Sequence, residues 1–308
     1  MRLMLAAAFL LAGIGFSIFL VRQDRTESID PSLKRSFEVA GNVTASADRL
    51  LSRVLPVGEL DEKEFGEAIK ARLRSYPFYD QESDKARYLQ KLLDDLMIYK
   101  KKDFDYEVFL SPGHFLNAFA MPGGVIVVTE GLLDGLPAEA ALIGIMAHEL
   151  AHVELGHCFS SVKFQLLAKK VKLESLGQLA DWVIGGVLRT SFSKTQEAEA
   201  DDYAFKLMRE SRYDPYGLAA GFKALLDAYE SRPRRRASDR GVLADYFATH
   251  PDLRQRFRTF SSKAELFWRT ARSDTRRYRG QQNLKNLIPM SEQEFEGEWL
   301  QSFQAELY

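Results

Sequence analysis

The sequence predicts an α+β fold that is mostly helical, with a small antiparallel sheet of about three strands packed on one long helix. Apolar residues recur every three or four positions from about residue 31 to 102, as they do on one face of a helix. The period changes between Asp105 and Thr129, where "FDYEVFL" alternates and the turn "MPGG" leads into the β-branched run "VIVVT". Helical spacing returns at Pro137.

The N-terminal segment is a candidate membrane anchor. Leu3 to Val21 carries no charged residue and has about the length that a membrane-spanning helix needs. A cleaved secretory signal peptide has a similar apolar core, but bulky and charged residues follow this one where a cleavage site would have small residues. We therefore expect residues 1–25 to be a retained single-pass anchor, with the rest of the chain outside the cytoplasm on the periplasmic side. Secretion to the periplasm after signal cleavage is the alternative.

The remainder of the chain is predicted to comprise a helical N-terminal region (26–103), a core domain (104–270) and a C-terminal helical tail (271–308). The net charge of -1 over 308 residues gives no electrostatic basis for binding nucleic acid, and we expect none to bind. The basic stretch "SRPRRRASDR" is typical of a solvated loop. Cys158 is the only cysteine, so the chain contains no internal disulfide.

Three of the five histidines lie in the stretch "HELAHVELGH", which we expect to continue one helix of about 20 residues that begins at Pro137. His148 and His152 are four residues apart, so they project from the same helix face and can bind one metal ion. Glu149 lies on the neighbouring edge, where it can act as a base without being a ligand. His157 is rotated by roughly 140° from that face and is interpreted as a helix-end or packing histidine.

A third metal ligand is predicted in the helix that contains "KTQEAEADDYA". Glu197 and Asp201 are four residues apart, so they also share a face. Glu197 is the candidate ligand, and Asp201 can accept the second ring N–H of a ligating histidine and thereby fix its tautomer. A solvated acidic helix turn is the alternative interpretation of this string.

Four ordered motifs resemble a known family. "NAFAMPGGVIVVTEGLL", "HELAHVELGH", "EAEAD" and "THP" are similar to segments of the HtpX and CAAX-prenyl-protease-like gluzincin metallopeptidases, and most of all to the soluble-domain branch with BepA, LoiP and Oma-type members. The resemblance covers roughly residues 104–260. It implies a zincin-like core, one zinc ion per chain held by His148, His152 and Glu197, and Glu149 as general base. The several membrane spans of the integral-membrane members are absent from this sequence.

Two further site predictions concern His250 and a strand. The resemblance of the "THP" motif implies that His250 lies over the zinc, where we expect it to donate to the oxyanion that forms on attack. A fourth ligand that closes the resting site and a surface histidine beside a turn are the alternatives. The strand Asn117, Ala118, Phe119, Ala120 offers an edge to which an extended polypeptide can add by main-chain hydrogen bonds. A strand that is paired on both sides is the alternative for this segment.

The expected function is that of a membrane-tethered zinc endopeptidase that cleaves unfolded or damaged envelope proteins. The alternative is a membrane-anchored chaperone or binding protein with a structural zinc. Structural zinc sites are usually closed by four Cys or His ligands, and Glu149 would have no purpose in one. The sequence does not indicate an oligomeric state.

Overall fold

The computed structural model describes residues 61–169, 176–186, 192–231, 250 and 252–308, and these form an α+β fold in which helices predominate. The N-terminal helices are α1 (Glu62–Ser75) and α2 (Asp84–Leu96), followed by strands β1 (Glu107–Ser111), β2 (Ala118–Met121) and β3 (Val125–Thr129). The helices that follow are α3 (Glu130–Gly135), α4 (Glu139–Glu154), α5 (His157–Lys169), α6 (Leu176–Gly186), α7 (Lys194–Glu210), α8 (Tyr216–Glu230) and α9 (Leu253–Thr270). The chain ends with β4 (Arg277–Tyr278), α10 (Gln281–Asn286) and β5 (Trp299–Leu300). The predicted fold class is confirmed.

The three-stranded sheet has the order β1–β3–β2 and is mixed. Strands β2 and β3 form an antiparallel hairpin, whereas β1 pairs parallel to β3. The prediction of a wholly antiparallel sheet was therefore wrong for β1. Alternation along a strand shows which residues share a face, but it carries no information on strand direction. The run "VIVVT" is buried at all five positions, as suits the central strand.

The two faces of the sheet lie in two separate apolar clusters. The face that contains Val108, Ala120 and Ile126 belongs to the larger core, together with apolar residues of α2, α4, α7 and α8. The opposite face, with Phe109 and Val127 among its residues, packs with α1 and α6. Alternate residues of each strand therefore enter different cores, and the sheet is the middle layer of three.

Helix α4 is the most deeply enclosed element of the described structure, since all sixteen of its residues are buried. It contacts α7, α8 and β2. Gly144 allows α8 to approach closely, because a Cβ atom at this position would lie 2.7 Å from the Cα atom of Leu218. The helix ends at Glu154, not near residue 159 as predicted. Gly156 adopts a left-handed conformation with φ of 75°, which terminates the helix before α5 begins.

The C-terminal tail completes the N-terminus of α4. Helix α4 has no side-chain cap at Ala138. Instead, the N–H groups of Glu139 and Ala140 donate to the carbonyls of Gly280 and Arg279, at 3.0 and 2.9 Å. These bonds satisfy two of the four N–H groups that a helix start leaves unpaired. The tail is thus integral to the long helix, although nothing in its sequence indicated this contact.

The side chain of Glu139 joins the same tail to two other parts of the fold. The Tyr88 and Tyr213 hydroxyls donate to its carboxylate at 2.7 and 2.6 Å, and the Met290 N–H donates at 2.9 Å. Burial nevertheless raises the pKa of Glu139 to about 7, because these bonds only partly offset the loss of solvation. The first turn of α4 is therefore held by neighbours on three sides.

None of the helices in the described ranges is long and apolar enough to cross a membrane. The predicted anchor, Leu3 to Val21, lies outside the described residues, as does the basic stretch from residue 232 to 240.

Candidate metal centre

Four buried side chains from three parts of the fold converge beside α4. His148 and His152 come from α4, Glu197 from the first turn of α7, and His250 from the segment before α9. Each offers one ligand atom, and these atoms all lie within 4.8 Å of one another. The structure thus brings together the three predicted metal ligands and His250.

The separations within this group match those of ligands that share one ion. His148 Nε2 lies 3.1 Å from His152 Nε2 and 3.3 Å from His250 Nδ1, and Glu197 Oε1 lies 2.9 Å from His250 Nδ1. Bonds of 2.0 to 2.1 Å in a tetrahedron place ligand atoms about 3.3 Å apart. Imidazole nitrogens with one carboxylate oxygen are ligands that zinc accepts. The residues therefore fit a zinc ion.

Asp201 occupies the predicted supporting position for His148. Its Oδ1 atom lies 3.0 Å from His148 Nδ1, so it accepts the ring N–H and leaves Nε2 directed at the other ligands. Asp201 is in turn held by Arg256, whose Nε and Nη2 atoms donate to the carboxylate at 2.9 and 2.6 Å. Burial opposes the charged carboxylate, but the charge of Arg256 and the hydrogen bonds from His148 and Arg256 together lower the pKa of Asp201 overall.

Arg256 also reaches the ligand carboxylate and an aromatic ring. Its Nη1 atom lies 3.1 Å from Glu197 Oε2, and its guanidinium lies over the Phe222 ring at 4.1 Å from the centroid. Burial would raise the pKa of Glu197, but His250 and the hydrogen bonds from the α4 histidines lower it overall. Arg256 was missed in the sequence. The sequence indicated only that Arg256 lies six residues after His250, and several other arginines lie in the same stretch.

His152 has a different environment from His148. Its ring stacks on Phe192, with centroids 3.8 Å apart and planes at 18°. Burial lowers its pKa well below the usual value, which favours the neutral ring that a metal requires. The ring of His157 also lies against it, with the two Nδ1 atoms 3.1 Å apart. The prediction that His157 points away from the site was wrong, because it assumed that α4 continues through Gly156.

Glu149 is fully buried beside this group. No hydrogen bond from the described residues reaches either of its oxygens. The Nε2 atom of His250 lies 3.6 Å from Glu149 Oε1, beyond hydrogen-bonding distance. Burial raises the pKa of Glu149. The charges of His250 and His148 act in the opposite direction but do not cancel this increase. A buried carboxylate without a hydrogen bond costs free energy, so its presence beside a candidate metal centre indicates a chemical role.

The predicted substrate strand lies at the edge of the sheet. Within the described part of the chain, β2 pairs with β3 and with no other strand. It packs along α4, the helix that carries His148 and His152. Asn117 precedes the strand and is fixed by main-chain bonds to Thr129, the Asn117 carbonyl accepting the Thr129 N–H at 3.0 Å.

Comparison with known proteins places the chain among metalloproteases. The family described as Peptidase family M48 matches residues 81–264. Metalloprotease LoiP of Escherichia coli (strain K12) is 31% identical over 151 residues, which cover 46% of this chain and 59% of LoiP. Mitochondrial metalloendopeptidase OMA1 of Schizosaccharomyces pombe is 28% identical over 162 residues, or 51% of this chain and 46% of OMA1. Beta-barrel assembly-enhancing protease of Escherichia coli (strain K12) is 28% identical over 148 residues, or 42% and 30%. Each match spans less than two thirds of the relative.

Replacement of Arg256 by Met should destabilise the centre strongly. The substitution keeps an unbranched stem but leaves the Asp201 carboxylate buried without its cation, a change that typically costs about 3 to 5 kcal/mol. Arg254→Met is the matched control, because Arg254 lies on the same helix in a largely exposed ion pair with Glu230, and such pairs contribute about 1 kcal/mol or less. Urea unfolding of the metal-free proteins measures both effects. Equal losses in the two variants would contradict this role of Arg256.

Proposed function

The chain belongs to peptidase family M48, and on that premise we propose that it is a zinc-dependent endopeptidase that hydrolyses peptide bonds in polypeptide substrates. The observation that carries the proposal is the carboxylate of Glu149, which accepts no hydrogen bond from the described residues and is buried beside two histidines and a glutamate that fit a zinc ion. A zinc site with three protein ligands leaves a position open for reaction, as catalytic sites do.

The residues of the chain divide the chemistry among them. When bound, zinc would supply Lewis acidity, which lowers the pKa of water toward ~7 and polarises a peptide carbonyl. His148, His152 and Glu197 would hold the ion. Glu149 takes the proton from the attacking water and delivers it to the leaving amine. Its burial suits this exchange, because a raised pKa lets the same carboxyl group accept a proton and later release it.

His250 is proposed to close the site when no substrate is bound. Its Nδ1 atom lies among the ligand atoms, at distances typical of groups that share an ion. If it binds zinc there, it occupies the position that a substrate carbonyl needs. Its Nε2 atom, 3.6 Å from Glu149, points toward the base. When displaced by substrate, the same ring remains close enough to donate to a developing oxyanion.

Polypeptide substrates are proposed to add to the outer edge of β2, next to Asn117, Ala118, Phe119 and Ala120. The position of β2 at the sheet edge supports this, since an edge strand has main-chain groups available for pairing. Recognition through main-chain groups requires an extended chain and little side-chain specificity. Unfolded or damaged proteins of the cell envelope are the proposed substrates, and one relative is named a beta-barrel assembly-enhancing protease.

The second candidate function is that of a non-proteolytic, membrane-anchored binding protein with a structural zinc. The four-residue cluster that includes His250 would favour it, because four ligands close a zinc site. Glu149 argues against it, since a binding protein gains nothing from a buried carboxylate that accepts no hydrogen bond. Casein cleavage before and after chelation distinguishes the two functions.

Replacement of Glu149 by Gln should abolish proteolysis while zinc remains bound. The amide keeps the shape of the side chain but cannot take a proton, and loss of a general base typically lowers the rate by about 10²- to 10⁴-fold. Casein cleavage and zinc content are measured on the same preparation of the full chain. Turnover close to that of the unmodified protein in a zinc-loaded variant would rule out the proposed mechanism.

Replacement of His250 by Ala separates its two roles. Removal of a closing ligand should raise kcat/KM for a flexible peptide, with zinc retained by the three remaining ligands. Removal of an oxyanion donor should instead lower kcat by about 10²- to 10³-fold with little change in KM. We expect the increase, and the decrease would show that His250 acts mainly as a donor. Unchanged kinetics with unchanged zinc affinity would exclude both roles.

The N-terminal segment is proposed to tether the protein to the cell membrane, with the catalytic part on the periplasmic side. Leu3 to Val21 supports this through its length and its lack of charge. The full chain should remain in the membrane fraction after an alkaline carbonate wash, because an inserted helix resists extraction. A soluble product whose N-terminus follows this segment would show cleavage of a signal peptide instead.

A further inference from the structure

We infer that His157 and Glu199 are positioning residues that fix the tautomer and the ring orientation of the zinc ligand His152. The inference rests on the proposed zinc site. It concerns a hydrogen-bonded series that runs from His152 through His157 to Glu199, on the opposite side of His152 from the other ligands. His157 was expected to be a packing residue, and the fold gives it a different position.

The series consists of two short contacts between side chains. His152 Nδ1 and His157 Nδ1 are 3.1 Å apart, and His157 Nε2 lies 3.1 Å from Glu199 Oε2. The rings of His152 and His157 have centroids 5.1 Å apart and planes at 66°. His152 is fully buried and His157 is only 5% exposed, so water has little access to the contact between them.

The positions of the protons follow from these contacts. His152 Nε2 lies among the ligand atoms, 3.1 Å from His148 Nε2, so its lone pair must face the ion. The neutral ring then carries its proton on Nδ1 and donates it to Nδ1 of His157. His157 therefore carries its own proton on Nε2 and donates it to the Glu199 carboxylate. Only this arrangement satisfies both contacts while His152 stays a ligand.

The two zinc-binding histidines are thus supported in different ways. His148 donates directly to the Asp201 carboxylate, which is buried and paired with Arg256. His152 donates to the neutral imidazole of His157, which in turn donates to the carboxylate of Glu199. The side chain of Glu199 is 56% exposed, so the series from His152 ends at the protein surface. A hydrogen bond to an outer group orients a ligand histidine and increases its basicity, whether the acceptor is a carboxylate or another group.

The turn between α4 and α5 creates this contact. Gly156 has φ of 75°, a conformation that other residues adopt with strain, and it reverses the direction in which the next side chain projects. A Cβ atom at Gly156 would meet only Lys102 Nζ, at 3.7 Å. The glycine is therefore required by the backbone conformation rather than by lack of space. Without this turn, His157 would lie on the face away from the ligands.

The affinity of the full chain for zinc tests the inference. His157→Leu removes the acceptor for His152 and should weaken zinc binding by about 10- to 100-fold, as the loss of an outer hydrogen bond does. His157→Asn should restore part of the affinity, because its side-chain oxygen can accept near the former position of Nδ1. Glu199→Gln keeps an acceptor on an exposed side chain and should have a smaller effect. Asp202→Asn is the matched control, because Asp202 lies on the same helix as Glu199 and forms an exposed ion pair with Lys263 of α9. This variant should leave the zinc affinity unchanged.

Competition with a chromophoric chelator gives the zinc dissociation constants, and circular dichroism melts of the metal-free proteins monitor folding. Nitrogen-15 NMR of the imidazoles reports the tautomer, which should be protonated on Nδ1 in His152 of the unmodified protein and become mixed in His157→Leu. Equal zinc affinity in the unmodified protein, His157→Leu and Glu199→Gln would overturn the inference. Equal weakening in the Leu and Asn variants would also overturn it, because a packing role does not depend on an acceptor.

The failure of this inference is distinguishable from failure of the proposed function. If the unmodified chain binds zinc and cleaves casein while the His157 variants behave like it, only the positioning role is wrong. If the unmodified chain binds no zinc, the proposed function fails first.

Discussion

The complete burial of α4 is the constraint on which the rest of the structure depends. This helix carries His148, Glu149 and His152 with no exposure to solvent. A polar group buried without a partner costs a large fraction of the stability of a domain, so each of these side chains must be satisfied by a neighbouring element or by a ligand. Helix α7 supplies carboxylates, α9 supplies a guanidinium, and α5 supplies an imidazole. The burial of α4 by its neighbours is therefore also what assembles the candidate metal centre.

The charges of the centre are consistent with a divalent cation. Three buried carboxylates, those of Glu149, Glu197 and Asp201, lie close together, and Arg256 is the one arginine within reach of them in the described structure. With neutral histidines, two negative charges remain, and one zinc ion would balance them. Arg256 divides its guanidinium between Asp201 and Glu197, so it links the group that orients His148 to the carboxylate that would bind the ion. Removal of either the arginine or the metal would leave buried negative charge uncompensated.

Local patterns predicted much of the centre, whereas features that depend on chain reversal could not be predicted. His148, His152, Glu197 and Asp201 were identified because residues four apart share a helix face, and this rule holds within one helix. His157 was assigned to the wrong face because the same rule was extended across Gly156, where the helix ends. The direction of β1 depends on how its connection crosses the sheet, and alternation does not encode that path. Arg256 and Phe192 reach the centre from distant segments, and only the folded chain shows that they meet it.

The carbonyls that complete the first turn of α4 belong to residues near the end of the chain. Gly280 and Arg279 are added by the ribosome long after Glu139 and Ala140, to which they bind. The first turn of the helix that carries His148 and His152 therefore cannot be completed before Gly280 has been synthesised. A growing or truncated chain lacks both the cap on α4 and the Met290 contact that holds Glu139. The order of synthesis thus places completion of the first turn of α4 after synthesis of the segment that contains Arg279, Gly280 and Met290.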